Sequence, residues 1–286
     1  MMSDLTIVQL TDTHLRPAGE LVHGVVDTDA NLARVLTQLR AAGQHVDALV
    51  LSGDLSDNGS PEAYRRLRAA VEPVAAELGA EIVYVMGNHD ERVGFGEELL
   101  DLAPGSVDPA LPHDSCVEIA GLRVIALDST TPLRHEGKLE LEQLAWLAEQ
   151  LRVPAPRGTL LVLHHPPIPS PVATVDFLKL EDAERLADVL AGSDVRMILC
   201  GHNHLTAAAA VAGIPVWIGP ALSYRIDPMA PVGRHRGLAG FGYSRIDLVG
   251  DTMLATAIEA TPAVSVYDRP EAEVLEQLAA IAARTR

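Results

Sequence analysis

Leu5-Thr6-Ile7-Val8-Gln9-Leu10 runs directly into Thr11-Asp12-Thr13-His14. A short apolar run rich in Leu, Ile and Val has the length of a buried strand rather than a helix. A carboxylate and an imidazole, two residues apart, follow its C-terminal end. The pattern recurs along the chain. Ala48–Ser52 reads as a buried strand and ends in Gly53-Asp54. Ile82–Met86 ends in Gly87-Asn88-His89-Asp90, and Leu160–Leu163 in His164-His165-Pro166-Pro167. Met197–Leu199 ends in Cys200-Gly201-His202-Asn203-His204. The C-terminal edge of the strands is where sites form in open α/β sheets. Five strand ends therefore converge with carboxylates, carboxamides and several imidazoles.

Helical patterns separate these strands. Leu32, Val35, Leu36 and Leu39 share one face. Ser60-Pro61-Glu62 reads as an N-cap with proline at the first helical position, before a face of Leu67, Val71, Val74 and Leu78 that Gly79 is placed to end. A β-α-β-α-β order favours parallel pairing through right-handed crossovers. Cys116–Ala120 with Leu122–Leu127, and Ala207–Ala212 with Ile214–Ile218, read as hairpins around Gly121 and Gly213. Helices are expected on Leu141, Leu144, Leu147 and Leu151, and near Ala183–Leu190. Phe241–Leu248 and Met253–Ile258 add late strands, and Val274, Leu278 and Ile281 mark a helix after Pro270. This order fits an α/β sandwich of two packed sheets with outer helices. At 286 residues the chain lies within the size of one large domain. The domain is expected over residues 1–260, with 261–286 a tail and helix packing on the domain or on a subunit.

Charge narrows the function. Lys and Arg number 22 against 39 Asp and Glu, a net −17. Such a surface repels phosphate backbones and anionic lipid, so neither nucleic acid nor membrane is an expected partner. A phosphate ester could still bind at a local positive centre, and bound metal ions are the usual source of one. No apolar run reaches the roughly 20 residues of a membrane span. No signal peptide is visible, so a cytoplasmic location is expected. Cys116 and Cys200 form no CxxC pair and are expected to be buried free thiols.

The converging residue types suit a pair of metal ions. Two ions roughly 3.5–4 Å apart repel each other and need an anionic bridge, assigned here to Asp54. Neutral imidazoles complete each shell without excess charge, and Asn88 offers a carbonyl oxygen. The glycines before Asp54, Asn88 and His202 permit tight turns. Each motif alone has a plain reading as a turn or as surface histidines. Their order and their common place at strand ends make a metal site the better one. His165 reads as a packing or supporting residue, because Pro166 restricts its backbone. His45 and His113 read as surface residues, and Asp128 as a supporting one. His23, His135 and His235 are left open, as is the long stretch Gly219–Gly240 with Tyr224, Arg225, Arg234 and Arg236. A loop of that length is usually functional or mobile.

The set Asp12-x-His14, Gly53-Asp54, Gly87-Asn88-His89-Asp90, His164 and Gly201-His202-x-His204 resembles the calcineurin-like metallophosphoesterase superfamily. Asp12-Thr13-His14-Leu15, Gly24-Val25-Val26-Asp27, Gly53 to Gly59, Glu62-Ala63-Tyr64-Arg65 and His164-His165-Pro166-Pro167 further resemble its bacterial class III cyclic-nucleotide phosphodiesterases and their glycerophosphodiesterase-like relatives. The resemblance implies a four-layer α-β-β-α sandwich, two mixed sheets flanked by helices. It implies one metal held by Asp12, His14, Asp54 and His204, and a second held by Asp54, Asn88, His164 and His202. The ions would be Fe, Mn or Zn. Asn88, His89 and His204 would face the substrate. His89 would be the general acid or a phosphate donor, oriented by Asp90. The implied reaction is in-line attack of a metal-bridging hydroxide on a 3′,5′-cyclic nucleotide, with cyclic AMP the expected substrate and a homodimer the expected assembly. The alternatives are a glycerophosphodiesterase or broad phosphodiesterase and, in another class, a metal-free scaffold or binding module.

Overall fold

The computed structural model describes residues 3–284. In chain order its first part comprises β1 (Leu5–Leu10), α1 (Thr28–Ala42), β2 (Ala48–Ser52), α2 (Pro61–Leu78), β3 (Glu81–Val85) and α3 (Arg92–Leu99). Next come β4 (Ser115–Ile119), β5 (Leu122–Leu127), α4 (Leu141–Leu151), β6 (Thr159–Leu163), the single turn α5 (Ala173–Asp176), α6 (Ala183–Leu190) and β7 (Val195–Cys200). The last part holds β8 (Ala207–Val211), β9 (Ile214–Ile218), β10 (Arg225–Ile226), β11 (Gly237–Leu238), β12 (Gly242–Val249), β13 (Thr252–Glu259) and α7 (Glu271–Arg284).

Two mixed sheets result. One has the order β13-β12-β1-β2-β3, the other β4-β5-β6-β7-β9-β8. β1, β2 and β3 are parallel, as are β5, β6, β7 and β9; the outer strands pair antiparallel. The near-continuous apolar runs of the central strands follow from burial on both faces. Alternate residues divide between two layers. Leu5, Ile7, Ala48 and Val50 meet Val124, Leu160, Val162 and Leu199 between the sheets. Their neighbours Val8, Leu10, Leu49 and Leu51 pack under Leu32, Val35, Leu67 and Val71 of α1 and α2. On the far side Leu161, Leu163 and Ile198 pack under Leu144, Leu147, Leu186 and Leu190 of α4 and α6. The four-layer α-β-β-α sandwich is thus the consequence of period-two burial in both sheets.

Local signals set most element ends. Asp27 caps α1 by accepting the Ala30 N–H, and Gly43 ends it in the left-handed conformation. Pro61 opens α2 and Gly79 closes it, although the Ser60 side chain makes no capping bond. α3 has no clear signature in the sequence, because Gly94 and Gly96 break its apolar periodicity. Its start is fixed by Glu91, which accepts from the Val93 and Gly94 amides. The Gly219–Gly240 stretch is not all loop, since β10 and β11 pair within it. Two expectations need correction. Cys116 is exposed, because it lies on edge strand β4; Cys200 is buried, and both are free. His113 is half-buried rather than at the surface: it stacks on Phe95 and bonds the Arg92 carbonyl at 3.0 Å. No described helix is long and apolar enough to cross a membrane.

Candidate metal centre

Backbone geometry marks the ligand loops. Asp12, His14, Asp54, His202 and His204 have φ of +53°, +46°, +51°, +69° and +49°. L-residues rarely adopt this region, and such strain persists only where the surroundings over-determine it. Here backbone bonds knit the loops together. Asp12 N–H donates to Gly53 C=O at 3.0 Å, and His14 N–H to Asp54 C=O at 2.9 Å. Gly201 N–H donates to His164 C=O, and Ser223 N–H to Asp12 C=O, each at 3.0 Å. Close approach makes two glycines obligatory. A Cβ on Gly87 would lie 2.1 Å from the Asp54 nitrogen, and one on Gly53, at φ +95°, 2.3 Å from His164 Nδ1.

These turns aim the side chains at one another. Asp54 Oδ2 is 3.5 Å from His14 Nε2 and 3.3 Å from His164 Nε2. Asp12 Oδ1 lies 3.4 Å from His204 Nε2 and 4.0 Å from His164 Nε2. Ligand atoms of Asp12, His14 and His204 lie within 4.8 Å of one another, as do those of Asp54, His164 and His202. These two triads lie side by side, linked by a third group of His14, Asp54 and His89, so that Asp54 is near members of both. Asn88 adds a carboxamide whose Nδ2 is 3.1 Å from His135 Nδ1, while its Oδ1 is buried without a hydrogen bond. His164 Nε2 is likewise buried and makes no well-aligned hydrogen bond, although Asp54 Oδ2 lies 3.3 Å away. Buried polar atoms are seldom left without partners. Two such orphans in one cluster, both good ligand atoms, fit a pair of metal ions.

The outer ring nitrogens support this. His14 Nδ1 is 3.0 Å from Asp57 Oδ1, His164 Nδ1 2.9 Å from Ser52 C=O, and His204 Nδ1 2.8 Å from Tyr224 C=O. Each acceptor fixes the Nδ1–H tautomer and leaves Nε2 as a lone-pair donor, the usual arrangement behind a metal-binding imidazole. Asp57 is also bound by Arg16 Nε at 2.7 Å. It was visible in the sequence only as part of the Gly53–Gly59 motif, without a role.

Charge points the same way. Burial pushes the Asp12 carboxyl up, with Asp54 adding to the rise. Burial also opposes charge on Asp54, but His164, His89 and His14 outweigh it and hold Asp54 well below the carboxylate range. Burial holds His14 and His202 down, and His204 down to about 4. His164 departs from this pattern: against its burial, Asp54 and Asp12 lift it to about 9. Two enclosed carboxylates, with His14, His202 and His204 held neutral and the site drawing a proton onto His164, call for positive charge, which divalent ions would supply.

The remaining predicted residues are placed as follows. His89 packs edge-on against His14 at 4.8 Å, and its backbone N–H donates to Asp54 Oδ1 at 2.9 Å. Asp90, expected to orient His89, has other partners. Its carboxylate accepts from the Leu55, Ser56 and Gly87 amides and from the Tyr64 hydroxyl, at 2.9–3.1 Å. It ties the Asp54 loop to the Asn88 loop, whereas His89 Nδ1 is held by the Asp57 carbonyl at 2.8 Å. The correction follows from chain direction: a carboxylate closing this turn faces amides behind the site. His165 is buried between Ser129 Oγ at 2.8 Å and His135 C=O at 3.2 Å, as a packing residue should be. Asp128 is buried too, paired with Arg92 at 3.1 Å. Of the histidines left open, His135 and His235 line the cavity above the cluster. His23 lies in a neighbouring cleft.

A two-sheet α/β sandwich with paired carboxylate–imidazole triads at its strand ends defines a hydrolase of the two-metal type. The calcineurin-like phosphoesterase model matches residues 5–205, and the chain belongs to that family, which uses a binuclear divalent metal centre. A Mycobacterium tuberculosis protein named cAMP/cGMP dual specificity phosphodiesterase is 44% identical over 256 residues, 89% of this chain and 79% of its own. A Rhodococcus erythropolis protein named "Probable cyclic nucleotide phosphodiesterase" is 42% identical over 93% of this chain and 87% of its own. Among solved structures, a purple acid phosphatase from yellow lupin (Lupinus luteus) seeds shares the fold at a TM-score of 0.63 and 16% identity. That match covers 93% of this chain and 53% of the phosphatase.

Metal analysis separates the roles of the two aspartates. Asp54→Ala is expected to lose both ions, since its carboxylate lies near both triads. Asp57→Ala removes the partner of His14 Nδ1 and the Arg16 ion pair but no assigned ligand, and should weaken metal affinity by about 10- to 100-fold without emptying the site. Two full equivalents of metal retained by Asp54→Ala after dialysis would contradict the bridging role.

Proposed function

We propose that this chain hydrolyses 3′,5′-cyclic nucleotides, cyclic AMP among them, in the cytoplasm. One metal is assigned to Asp12, His14, Asp54 and His204, the other to Asp54, Asn88, His164 and His202. The mixed carboxylate, imidazole and carboxamide set suits Fe, Mn or Zn. The observation that carries the reading is the two triads, Asp12–His14–His204 and Asp54–His164–His202, with Asp54 near members of both, beside a histidine with one ring nitrogen committed and the other available. The names of the two bacterial relatives supply the substrate class.

Two divalent ions in this site would supply Lewis acidity and a water acidified to near neutrality. The chain's own groups do the rest. Asn88 Nδ2 is engaged by His135, so its Oδ1 is turned inward. His89 Nδ1–H is committed to the Asp57 carbonyl, and against its burial Asp54 and Asp57 raise its pKa, so the imidazolium can carry a second proton on Nε2 to give to the leaving oxygen. A proton delivered there would neutralise the ribose alkoxide as the phosphorus–oxygen bond breaks. Asp90 and Tyr64 hold the two loops that set the distance between His89 and Asp54. A cavity of about 230 Å³ over His14, Asp54, Asn88, His89 and His204 admits the phosphoryl group.

The assembly we propose is a homodimer in which a second copy covers α7, whose Leu275, Leu278 and Ile281 are 58%, 56% and 52% exposed in one chain. Sedimentation at micromolar concentration should give a dimer, and Leu278→Asp should shift it towards monomer. A wild-type monomer would refute this assembly.

The role of His89 is tested by leaving-group dependence. A ribose alkoxide needs a proton in the transition state, whereas nitrophenolate does not. General acid catalysis is worth about 10²–10⁴-fold. His89→Ala should lose about that factor on cyclic AMP and far less on bis(p-nitrophenyl) phosphate, with metal content unchanged. Equal losses on both would make His89 a phosphate donor only. Wild-type protein with two metals and no turnover of cyclic AMP would contradict the proposed substrate.

A further inference from the structure

A second cavity, about 490 Å³, opens beside the first, within the usual range of small-molecule sites. The two share Tyr224, Ile226 and His235, so a molecule whose phosphate sits over the metal cluster can extend into the cleft. One wall is a tight turn. Val25 N–H donates to Val22 C=O at 3.1 Å, and the two central residues, His23 and Gly24, have φ of +51° and +72°. Positive φ at both central positions is the I′ pattern. A histidine in this conformation is strained, and strain of this kind clusters at ligand clamps. The turn is closed by reciprocal Val22–Val26 backbone bonds at 3.0 Å, and it presents His23 and Val26 to the cleft.

The opposite wall is the β10–β11 hairpin with Tyr224 at its base. It is pinned to the metal loop from two directions: Ile226 N–H donates to His204 C=O at 2.9 Å, and Tyr224 C=O accepts from His204 Nδ1 at 2.8 Å. The Tyr224 ring lies 4.4 Å from the His204 ring and 5.1 Å from the His23 ring. The cleft therefore has aromatic and apolar walls, from His23, Tyr224, Ile226 and Leu238, in fixed register with a metal ligand. None of the residues lining it is Asp, Glu, Lys or Arg.

We propose that this cleft is the nucleobase subsite of the enzyme, taking a planar heterocycle by stacking and apolar contact. The inference rests on the cyclic-nucleotide reading and deepens it. A glycerol or other small polar alcohol would gain little from such walls, whereas every base has a π face. Without charged groups to read a base edge, the subsite selects for the presence of a base more than for its identity.

The experiment compares two ligands with the same phosphate. 5′-AMP and ribose 5-phosphate are titrated calorimetrically into Mn²⁺-loaded protein. Stacking of one base corresponds to at least about a 5-fold gain in affinity, and 5′-AMP is expected to bind about 10-fold tighter. His23→Ala and Leu238→Asp should shrink the ratio to below about 3-fold, while changing ribose 5-phosphate affinity by less than about 2-fold. His23 is exposed and Leu238 only half-buried, so neither substitution threatens folding. Equal affinities for the two ligands in the wild type, or a ratio unmoved by both substitutions, would overturn the subsite. Turnover of cyclic AMP, measured on the same samples, keeps the two claims apart. Turnover with equal affinities removes the subsite and leaves the activity. A retained preference for 5′-AMP without turnover removes the activity and leaves the subsite.

Discussion

Two carboxylates, Asp12 and Asp54, are enclosed side by side where water cannot solvate them, at 0% and 2% exposure. Burying ionised groups without compensation is costly. Nearly everything at this edge of the sandwich follows from that constraint. His14, His164 and His204 surround the pair with their outer nitrogens tied back to protein acceptors. The Thr11 hydroxyl and the His202 amide donate to Asp12, and the His89 amide donates to Asp54. These bonds soften the cost without cancelling the charge. Divalent ions would complete the neutralisation, so the same arrangement that burdens folding prepares a site for metals.

The two-sheet architecture makes the arrangement possible. Three parallel strands of one sheet and two of the other end at a common edge, and each delivers one short loop. Loops that short can carry ligands only by turning sharply, which explains positive φ at five of the seven assigned ligands. It also explains why a Cβ at Gly87 or Gly53 would collide with a neighbouring ligand loop. Asp90 and Tyr64 contribute from behind. A carboxylate accepting from two loops at once fixes their separation, and burial raises its pKa to about 6, with Asp54 adding to the rise.

Much of this was legible in the sequence, for identifiable reasons. Strands buried on both faces give near-continuous apolar runs, so β1, β2, β6 and β7 were plain, and the ligands could be read from what followed them. Asp12, His14, Asp54, His164, His202 and His204 do converge, because their positions depend on strand ends alone. Supporting contacts were harder. The partner of His89 is a backbone carbonyl, that of Asp57, which no residue type announces. The tie made by Asp90 depends on the path of the turn rather than on spacing. The Arg92–Asp128 pair joins residues 36 apart, and α3 is obscured by its two glycines. The cleft beside the metals is assembled from a turn near residue 23 and a hairpin near residue 230, a long-range neighbourhood with no signature in sequence.

The two-metal centre depends on Asp54 holding two ions at once. Crystals of Mn²⁺-loaded protein, measured at the manganese absorption edge, address that directly. Two anomalous peaks roughly 3.5–4 Å apart, with the Asp54 carboxylate between them, are the predicted result. A single peak, or two peaks of which Asp54 touches only one, would contradict it.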